Sequence, residues 1–592
     1  MKQETRQCQN CKNQFAIEPE DFNFYEKIRV PPPTFCFHCR LQRRMTWRNE
    51  RALYKRNCDL CGKLTFSMYP SGVSFPVYCH GCWFSDKWNP LRYGKDYDFS
   101  ENFFAQFNKL QQEVPRIALQ VESVVNSDYT NQVLDCKNCY LLTSAVGDED
   151  CMFSYRILYS KNILDSYAVV KSENIYEGAM GRESANIFFS QGFADSESLY
   201  FCDESRGCQN CFMSSNLRRK SYVFRGEQLT REEYKRRLSS IDLGSYRAVE
   251  NLRQEFAELT AKSLRPRGTF KNVINTTGNS IANAKDCKYC FHATDIENCH
   301  YSLFIDNAKD CMDMNNGGHI MELIYEMNTT GARAFNSKFC NDAWPEVMNL
   351  TYCDSCRSGA KDLFGCISVR GKQYCILNKE YSRQEYQNLI PKIIGHMNVL
   401  PYQDKKGRVY KYGEFFPSEL SPFPYNDSMA QDFFQLTAAE AGIQGFRWND
   451  QVEKNVAVVI PSHDLPDRIQ DVAENIIDKI IGCEHEGRCN DRCTVGFRIV
   501  PSELRFYKRY NLPLPRLCPN CRHYERLKQR NPLKLWHRTC TCAGQKSENG
   551  VYHNTIAHFH KSGHCPNEFE TSYAPDRKEI IYCEQCYNSE VV

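Results

Sequence analysis

Residues 160–195 read SKNILDSYAVVK, SENIYEGAMGRE and SANIFFSQGFAD when they are written in lines of twelve. Each line begins with serine, and it has asparagine at the third position and isoleucine at the fourth. A fixed period with a stacked apolar column and small residues at turns is typical of a β-solenoid, in which each coil buries its column against the next. The stretch therefore predicts a mainly β, repetitive fold.

The twelve-residue period extends over residues 136–231. The fourth column of its eight lines is apolar throughout: Cys139, Cys151, Ile163, Ile175, Ile187, Leu199, Cys211 and Val223. Twelve residues is short for a full coil, so each line could instead be one side of a coil of about 24 residues. An antiparallel β-meander or sandwich is a further alternative, because strands recur at this spacing there too.

The repeat is itself duplicated. The motif DCKNCY, which begins at Asp135, recurs as DCKYCF from Asp286. We therefore expect two β-solenoid units, each ending in a capping helix. Thr230 and Ser382 can cap these helices, because a glutamate follows each of them by three residues, as in a capping box. Amphipathic helices are also predicted at 245–263 and at about 465–481.

The composition limits the function classes. The 592 residues suggest about four domains. The formal charge is +3 and 42% of the residues are hydrophobic, which excludes a wholly disordered chain and a uniformly basic nucleic-acid coat. The sequence shows neither an apolar leader nor the roughly 18 apolar residues of a membrane span, so we expect a soluble, cytoplasmic protein with no membrane partner.

The 33 cysteines need a chemical explanation. A reducing compartment favours metal ligands over disulfides. Every cysteine in residues 8–82 belongs to a C-x-x-C pair, and two such pairs make a tetrahedral site of four sulfurs that suits Zn²⁺. Two structural sites are predicted: Cys8, Cys11, Cys36 and Cys39, and then Cys58, Cys61, Cys79 and Cys82. A cross-braced pairing of the same knuckles stays open.

The C-terminal region repeats the N-terminal one at an offset of 482 residues, which places Cys36 on Cys518 and Arg40 on Arg522. Two more zinc sites follow, for about four structural ions in all. They are Cys489, Cys493, Cys518 and Cys521, and then Cys540, Cys565, Cys583 and Cys586, with Cys542 as an alternative to Cys540. The insertion 543–564 holds His553, His558, His560 and His564, which form either a solvated loop or a further metal site.

The fifteen cysteines between residues 136 and 375 have another interpretation. Four C-x-x-C pairs among them resemble zinc knuckles. They are Cys136/Cys139, Cys208/Cys211, Cys287/Cys290 and Cys353/Cys356. Two of these pairs, however, occupy repeat columns in which serine and isoleucine stand elsewhere, and a buried free cysteine behaves as a small hydrophobic residue. Core packing is therefore favoured over metal binding.

One family resemblance rests on the first 40 residues. The motif runs from Cys8-Gln-Asn-Cys11 through Phe24-Tyr25 and Pro32-Pro33 to Cys36-Phe-His-Cys39-Arg40. It resembles the bacterial "probable zinc-ribbon" family of small treble-clef-like domains, and residues 489–522 match more loosely. The resemblance implies a zinc-binding fold without a defined activity. The whole chain also resembles large bacterial proteins that carry several such ribbons.

Basic residues with interleaved aromatic ones follow the second knuckle of each ribbon. A rigid zinc module that presents guanidinium groups and aromatic faces can hold phosphates and stack on bases. The candidate nucleic-acid contacts are Arg40, Arg43, Arg44, Trp47, Arg48, Arg522, Arg526, Lys528, Arg530 and Arg538. The alternatives are a solvated helix face, or arginines that pair with the acidic middle of the same chain.

These inferences give a domain order and a function. The predicted order is zinc ribbons at 1–50 and 51–100, a β-solenoid unit at 125–235, a helical connector at 236–270, a second unit at 276–387, a helical or irregular connector at 388–482, and zinc ribbons at 483–530 and 531–592. We expect a non-enzymatic zinc-stabilised scaffold that binds nucleic acid, structured RNA included. The alternatives are a protein-interaction scaffold and a solenoid enzyme acting on carbohydrate or nucleic acid. No catalytic residue is predicted.

Overall fold

A computed structural model describes residues 2–450 and 456–591. The chain is rich in strands, and it divides into two compact units that each combine distant parts of the sequence. Among the described residues, unit 1 takes 2–119, 268–450 and 533–535, and unit 2 takes 120–267, 456–532 and 536–591. Each unit therefore contains one of the two repeat regions together with cysteine-rich segments from one end of the chain.

The repeat of unit 2 forms two sheets in which neighbouring strands are parallel and twelve residues apart. Tyr155 is opposite Tyr167, and Ile163 is opposite Ile175. One sheet has Val121–Glu122, Asn131–Leu134, Thr143–Val146, Tyr155–Leu158, Tyr167–Val170 and Ala179–Arg182. The other has Lys161–Leu164, Glu173–Tyr176, Ala185–Phe188, Glu197–Asp203, Gln209–Ser215, Ser221–Phe224 and, antiparallel at its edge, Glu227–Gln228.

This pairing decides between the alternatives. Each twelve-residue line gives one strand to each sheet where both sheets are formed, as the line 160–171 does with 161–164 and 167–170, so the chain returns to the same sheet after twelve residues. The alternative coil of about 24 residues is therefore wrong. The antiparallel meander is also wrong, because the strands of the repeat pair in parallel.

A three-residue period lies inside the twelve-residue one. Along the repeat, a residue with positive φ occurs at every third position, as at Asn162, Asp165 and Ala168. The residue that follows each of these is buried, as at Ile163 and Ser166. Asparagine adopts the left-handed conformation more readily than most residues. The recurring asparagine of the third column also donates its side-chain amide along the stack, from Asn162 to Asn174 over 2.7 Å.

The buried serines of the first column form a continuous hydrogen-bonded ladder. The Oγ of Ser172 accepts the backbone N–H of Ser184 at 3.2 Å and donates to the carbonyl of Val170 at 2.9 Å. Ser160 and Ser184 repeat the arrangement one coil away on either side. Because each hydroxyl is satisfied as both donor and acceptor, serine can be buried there without the cost of an unpaired polar group.

Asp148 stands in this ladder where serine stands in the next coils. Its Oδ1 accepts the N–H of Ser160 at 2.8 Å, and the side chain is buried. Burial raises the pKa of Asp148 to about 8, although the hydrogen bond from Ser160 acts in the opposite direction. The carboxyl is therefore protonated through most of the physiological pH range in the folded chain and ionised in the unfolded one.

Replacing Asp148 by asparagine should remove a pH dependence of stability. The folded-state pKa lies above the unfolded value, so the wild type loses stability as the pH rises from about 4 to about 8, by up to about 1.4 kcal/mol per pH unit. Urea unfolding of both proteins at pH 6 and pH 8 checks this. The free energy of unfolding of Asp148→Asn minus that of the wild type should be larger at pH 8 than at pH 6. The same difference at both pH values would contradict the conclusion that burial raises the pKa of Asp148.

The repeat of unit 1 forms one large sheet that is parallel except for Lys379–Glu380 at its edge, and its parallel partners lie twelve or thirteen residues apart. Phe291 pairs with Leu303, Met312 with Tyr325, and Lys361 with Gln373. The extra residue is absorbed between strands, which is why the period is less regular in this half of the sequence. The strands are Phe270–Glu297, Leu303–Lys309, Met312–Gly318, Met321–Glu322, Tyr325–Gly331, Ala334–Phe335, Lys338–Ala343, Val347–Thr351, Lys361–Phe364, Gln373–Ile376 and Lys379–Glu380.

Short hairpins carry the cysteine-rich segments. The paired strands are Glu4–Gln7 with Gln14–Ile17, Tyr54–Asn57 with Leu64–Ser67, Ile481–Gly482 with Gly496–Phe497, and Trp536–Thr539 with Glu568–Thr571. Val77–Tyr78 and Ile580–Tyr582 pair in parallel with Arg116–Ile117 and Leu264–Pro266, and Tyr402–Gln403 pairs with Val409–Tyr410. In the ribbon hairpins the first ligand cysteine follows directly on the first strand.

The helices confirm two of the predicted caps. Thr230 and Ser382 each accept the N–H of the glutamate three residues on, at 3.2 and 3.3 Å. The α-helices are Pro19–Ile28, Phe37–Met45, His80–Trp83, Phe103–Glu113, Arg231–Ser239, Tyr246–Lys262, Arg383–Val399, Met429–Phe433, Ala438–Gln444, Pro501–Tyr510, Pro519–Lys528 and Glu584–Val591. The 3₁₀ turns are Pro90–Tyr93, Ser418–Leu420, Tyr425–Asp427, Ser462–Asp464, Ile469–Asp471 and Glu474–Asp478.

One predicted helix is wrong. The segment 465–481 contains 3₁₀ turns instead of the amphipathic helix, although Leu465, Ile469 and Ile476 are buried as the pattern required. The N–H of Ile469 bonds to the carbonyl of Gly244, which takes it out of any local helix. The apolar spacing was therefore correct for burial but not for backbone conformation.

Candidate metal centres and buried arginines

Each cysteine cluster combines one knuckle on a hairpin with one knuckle at a helix. In the first ribbon, Cys8 follows the strand Glu4–Gln7, whereas Cys36 caps the helix Phe37–Met45. The second and third ribbons repeat this, with Cys79 and Cys518 as the helix caps. The backbone thus brings four thiols together from two short segments, as a closed structural metal site requires.

Four groups of four cysteines are close enough to hold an ion, with all ligand atoms of a group within 4.8 Å of one another. They are Cys8, Cys11, Cys36 and Cys39; Cys58, Cys61, Cys79 and Cys82; Cys483, Cys493, Cys518 and Cys521; and Cys540, Cys565, Cys583 and Cys586. Zn–S bonds of about 2.3 Å in a tetrahedron place the sulfurs about 3.8 Å apart. The Sγ atoms of Cys11 and Cys36 are 3.7 Å apart, and those of Cys565 and Cys583 are 3.8 Å apart.

A recurring hydrogen bond identifies the first ligand of every group. The N–H of the third cysteine of each ribbon donates to the sulfur of the first. The bonds run from Cys36 to Cys8 at 3.3 Å, from Cys79 to Cys58 at 3.2 Å, from Cys518 to Cys483 at 3.2 Å, and from Cys583 to Cys540 at 3.2 Å. This pattern favours sequential over cross-braced pairing, and it places Cys540 rather than Cys542 in the four-cysteine group of the fourth ribbon.

The third ribbon requires a correction. Cys489 was predicted as its first ligand, but Cys483 occupies the position equivalent to Cys8, directly after a hairpin strand. Cys489 lies in the longer hairpin loop, with its Sγ 3.6 Å from that of Cys521, so a fifth thiol borders this site. The preference for a short C-x₃-C knuckle misled the prediction, because nine residues separate Cys483 from Cys493. The burial of Ile481 and Gly482 as a strand is the signal that identifies Cys483.

In each cysteine group one thiol has a pKa below its ordinary value, whereas neighbouring thiols, such as Cys39, Cys82, Cys521 and Cys586, have a raised pKa. Hydrogen bonds from Cys36 and Cys39 hold the pKa of Cys8 well below its ordinary value. In the third and fourth ribbons the same effect lowers the pKa of Cys518, beside Cys483, and of Cys583, beside Cys540. The pKa of Cys58 in the second group is also lowered, to about 7. Because the thiolate is the form that binds metal, each of the four groups contains at least one thiol prepared for coordination.

The central cysteines lie in apolar cores. All fifteen are at most 1% exposed, and they are distributed between the core of the unit 1 sheet and that of unit 2. They stand at the inward positions of the repeat, and their thiols donate to the carbonyl two residues back, as Cys287 does to Lys285 over 3.2 Å. The serine ladder makes the same local bond, so cysteine here replaces serine in packing and in hydrogen bonding.

In unit 1 the basic helix of the first ribbon is buried against the sheet. Arg40 and Arg44 pair with Asp313, at 2.7 and 3.1 Å. Arg44 also pairs with Glu326 at 2.9 Å, as does Arg43 at 2.8 Å. A bond from Arg43 to Glu414 at 3.0 Å completes the cluster, so three guanidinium groups face three carboxylates. We call these six residues the unit 1 arginine clamp; each side chain is at most 5% exposed.

Unit 2 contains the equivalent arrangement. Arg522 and Arg526 both pair with Asp165 of the sheet, the latter at 2.8 Å, and Arg522 also pairs with Glu503 at 3.1 Å. These two arginines are offset by 482 residues from Arg40 and Arg44. The duplicated ribbon is therefore attached to a duplicated sheet by the same pair of arginines, and we call these four residues the unit 2 arginine clamp.

Burial makes the charged form of the carboxylates in both clamps costly unless an arginine compensates it. Desolvation raises the pKa of Glu326, and Arg43 and Arg44 only partly oppose it. In unit 2, desolvation likewise raises the pKa of Glu503, against the effect of Arg522. A carboxylate that depends on its arginine for charge compensation becomes an uncompensated buried charge when that arginine is removed.

The residues predicted to contact nucleic acid were expected at the surface, but most of them lie inside the fold. Seven of the ten are buried: Arg40, Arg43, Arg44, Trp47, Arg48, Arg522 and Arg526. Arg48 pairs with Glu50 at 2.6 Å, and Trp47 stacks on Phe416 with ring centroids 4.7 Å apart. Lys528 is exposed, whereas Arg530 and Arg538 are half-buried. The sequence could not distinguish a charged surface from an internal clamp, because both use the same basic spacing.

Comparisons with known proteins add no relative. No protein-family model matches the chain, and no curated protein is similar enough to it to count as a match. Within residues 2–450 and 456–591, no helix combines the length and the apolar character that a membrane crossing would need. The site geometry alone therefore has to carry the functional argument.

Proposed function

We propose that the chain is a non-enzymatic, zinc-stabilised scaffold in which four treble-clef-like zinc ribbons stabilise two β-solenoid units. The observation that carries the proposal is the pair of arginine clamps. In each unit a zinc ribbon presents its basic helix to the carboxylates of the parallel repeat. Zinc thus fixes a helix that neutralises charge buried in the repeat, and the ribbon serves the fold of its own chain.

The solenoid interpretation is supported by the twelve-residue parallel register, the left-handed residue at every third position and the inward serine ladder. These features describe a coil of twelve residues with four inward side chains. A stack of such coils presents regular columns of outward side chains, which is a surface that repeat proteins use to dock partners.

The clamps favour a protein partner over nucleic acid. An arginine that is ion-paired inside the fold does not offer its charge to a phosphate, and phosphate contacts dominate nucleic-acid affinity. Unit 1 retains none of its predicted contacts at the surface. Outward columns of the repeat hold exposed apolar side chains, Tyr159 and Met180 in unit 2 and Phe335 and Met348 in unit 1, which suit protein contacts.

The enzyme alternative has little support in the repeat of unit 1. Asp313, a fully buried aspartate of this repeat, is paired with Arg40 and Arg44 within the unit 1 arginine clamp. Asp310 pairs with Lys27 at 2.8 Å, and Glu297 pairs with Lys309 at 3.5 Å. Carboxylates that are neutralised by basic side chains in ion pairs do not form the pair of facing acids that glycoside hydrolysis uses.

A nucleic-acid titration separates the two partner classes. Fluorescence anisotropy of labelled single-stranded RNA and duplex DNA with the zinc-loaded full chain should show no specific binding at physiological salt. Lys528→Glu combined with Arg538→Glu should leave the result unchanged. Submicromolar binding with a steep salt slope that this double variant reduces would overturn the protein-partner proposal.

A further inference from the structure

The fourth ribbon contains a second group of metal-ligating atoms beside its four-cysteine group. Cys542, His558, His560 and Cys586 have ligand atoms that all lie within 4.8 Å of one another. Cys586 is also a member of the group with Cys540, Cys565 and Cys583. One thiol therefore belongs to two four-membered groups, and the insertion 543–564 supplies both histidines.

The distances within the second group fit a metal. The Nδ1 of His558 lies 3.1 Å from the Sγ of Cys542, and the Nε2 of His560 lies 3.4 Å from the Sγ of Cys586. In a tetrahedral zinc site with Zn–S near about 2.3 Å and Zn–N near about 2.05 Å, a sulfur and a nitrogen are about 3.5 Å apart. Two cysteines and two histidines are also a common ligand set for structural zinc.

The surroundings orient His558 as a ligand. Its Nε2 lies 2.9 Å from a carboxylate oxygen of Glu590, and both side chains are fully buried. A carboxylate on one ring nitrogen fixes the tautomer that leaves the other nitrogen free to coordinate, as is usual for metal-bound histidine. Glu590 also accepts the N–H and the hydroxyl of Thr555, both at 2.9 Å, so the same carboxylate holds the insertion in place.

A hydrogen bond from a neighbouring side chain likewise stabilises the sulfur of Cys542. The side-chain amide of Asn554 donates to the Sγ of Cys542 at 3.2 Å. Asn567 makes the equivalent bond to Cys583 of the four-cysteine group at 3.3 Å. N–H donors to sulfur stabilise thiolate charge, which a cluster with several thiolates needs.

We propose that the fourth ribbon binds two zinc ions that share Cys586 as a bridging thiolate. Cys540, Cys565 and Cys583 complete the first ion, and Cys542, His558 and His560 complete the second. Seven side chains then provide four donors to each ion. Five thiolates and two neutral imidazoles around two Zn²⁺ give a net charge of −1, which the asparagine donors moderate. The inference rests on the fourth ribbon being a zinc site, as the proposed function holds.

The second ribbon offers an internal contrast. Its hairpin from Tyr54–Asn57 to Leu64–Ser67 is short, and its group of four cysteines is complete without an insertion. The fourth ribbon inserts residues 543–564 between its first ligand and its second, and this segment folds back so that His558 and His560 reach Cys542 and Cys586. The insertion thereby converts a single-ion ribbon into a two-ion ribbon.

Native mass spectrometry of the intact chain tests the proposal. The wild type should carry five zinc ions, and His558→Ala combined with His560→Ala should carry four, with a far-UV circular dichroism spectrum close to that of the wild type. Cys542→Ser should lose the same single ion by an independent route. His553→Ala, which removes an exposed histidine of the same insertion, should retain all five.

The outcomes separate this inference from the proposed function. A wild type with four ions, unchanged in the histidine double variant, overturns the shared thiolate but leaves the four ribbons in place. A folded chain with fewer than four ions overturns the ribbons as well. Cobalt substitution adds a readout independent of stoichiometry, because two Co²⁺ ions that share a thiolate are exchange-coupled and should show a weakened paramagnetic resonance signal. The Cys542→Ser variant should regain the full signal per ion.

Discussion

Replacing Cys36 by serine is expected to abolish the first zinc site and unfold the ribbon that it organises. Cys36 belongs to the first four-cysteine group and stands at the N-terminus of the helix Phe37–Met45, so its loss removes the metal that would fix this helix, which bears the three arginines of the unit 1 arginine clamp. Structural zinc contributes about 10–16 kcal/mol of apparent binding free energy in small zinc modules. That exceeds or equals the net stability of most domains, which is about 5–15 kcal/mol.

Tryptophan fluorescence and zinc analysis measure this effect. Five of the six tryptophans, at positions 47, 83, 88, 344 and 448, lie in unit 1, so the fluorescence reports mainly on that unit. Cys36→Ser should lose one zinc ion, and the unit 1 transition should be lost or strongly shifted. A strong chelator applied to the wild type should have the same effect on fluorescence, and excess zinc should prevent it.

Cys375→Ser is the matched control, because it makes the same chemical change at a buried core cysteine of unit 1. We expect a loss of at most about 1–3 kcal/mol with the zinc content unchanged, because serine packs less well there but can keep the bond that the Cys375 thiol donates to the carbonyl of Gln373. If Cys36→Ser kept its zinc and its stability while Cys375→Ser lost zinc, the assignment of the two cysteine classes would be reversed.

Replacing Arg44 by alanine is expected to destabilise unit 1 by about 3–5 kcal/mol. The change leaves Asp313 and Glu326 with less compensation in a site where both side chains are fully buried, and removing one partner of a buried ion pair costs about this much. The loss of the aliphatic stem of a fully buried arginine adds a packing term of the same sign.

Denaturant titration followed by tryptophan fluorescence checks the effect of Arg44→Ala. Lys63→Ala, an exposed basic residue of the adjacent ribbon, is the matched control, and it should change stability by less than about 0.5 kcal/mol. Adding Glu326→Gln to Arg44→Ala should recover part of the loss, because it removes one of the uncompensated charges. Equal effects of Arg44→Ala and Lys63→Ala would mean that the clamp contributes nothing and that the basic helix is a surface feature.

The grouping of the terminal cysteines was the most predictable part of the molecule. A C-x-x-C pair encodes its geometry locally, so the duplication and the spacing together predicted fifteen of the sixteen cysteines that form the four groups. The exception was Cys483, whose partner Cys493 lies across a nine-residue loop. The entropic cost of closing a loop grows only slowly with its length, so the spacing alone does not show whether a nearer or a more distant cysteine completes the site.

The repeat was predictable in period but not in pairing. The apolar column from Ile163 to Ile187 identifies the side chains that are buried. It does not show whether neighbouring strands are parallel, because that depends on the number of residues between two successive strands of the same sheet. The signal that was missed is the three-residue spacing of small buried residues and left-handed positions, visible in Ser160, Ile163 and Ser166.

The arginines were the least predictable feature. Arg44 and Arg526 follow the second knuckle of a ribbon just as an exposed basic helix would, and their partners Asp313 and Asp165 lie hundreds of residues away. The pattern of charged residues along a sequence shows that one face of a helix is positively charged, but not whether that face is exposed to solvent or buried against acidic residues. Both clamps agree with the alternative in which the arginines pair with acidic residues from the middle of the chain. The sequence could not select that alternative, because the pairing residues are far apart in the chain.

The zinc content of the intact chain, counted by native mass spectrometry, tests the account most directly. Four ribbons with four cysteines each, together with the second ion of the fourth ribbon, predict five zinc ions per chain. Six or more would mean that the buried central thiols also bind metal. A folded chain with fewer than four zinc ions would contradict the central claim that four zinc ribbons stabilise the two units.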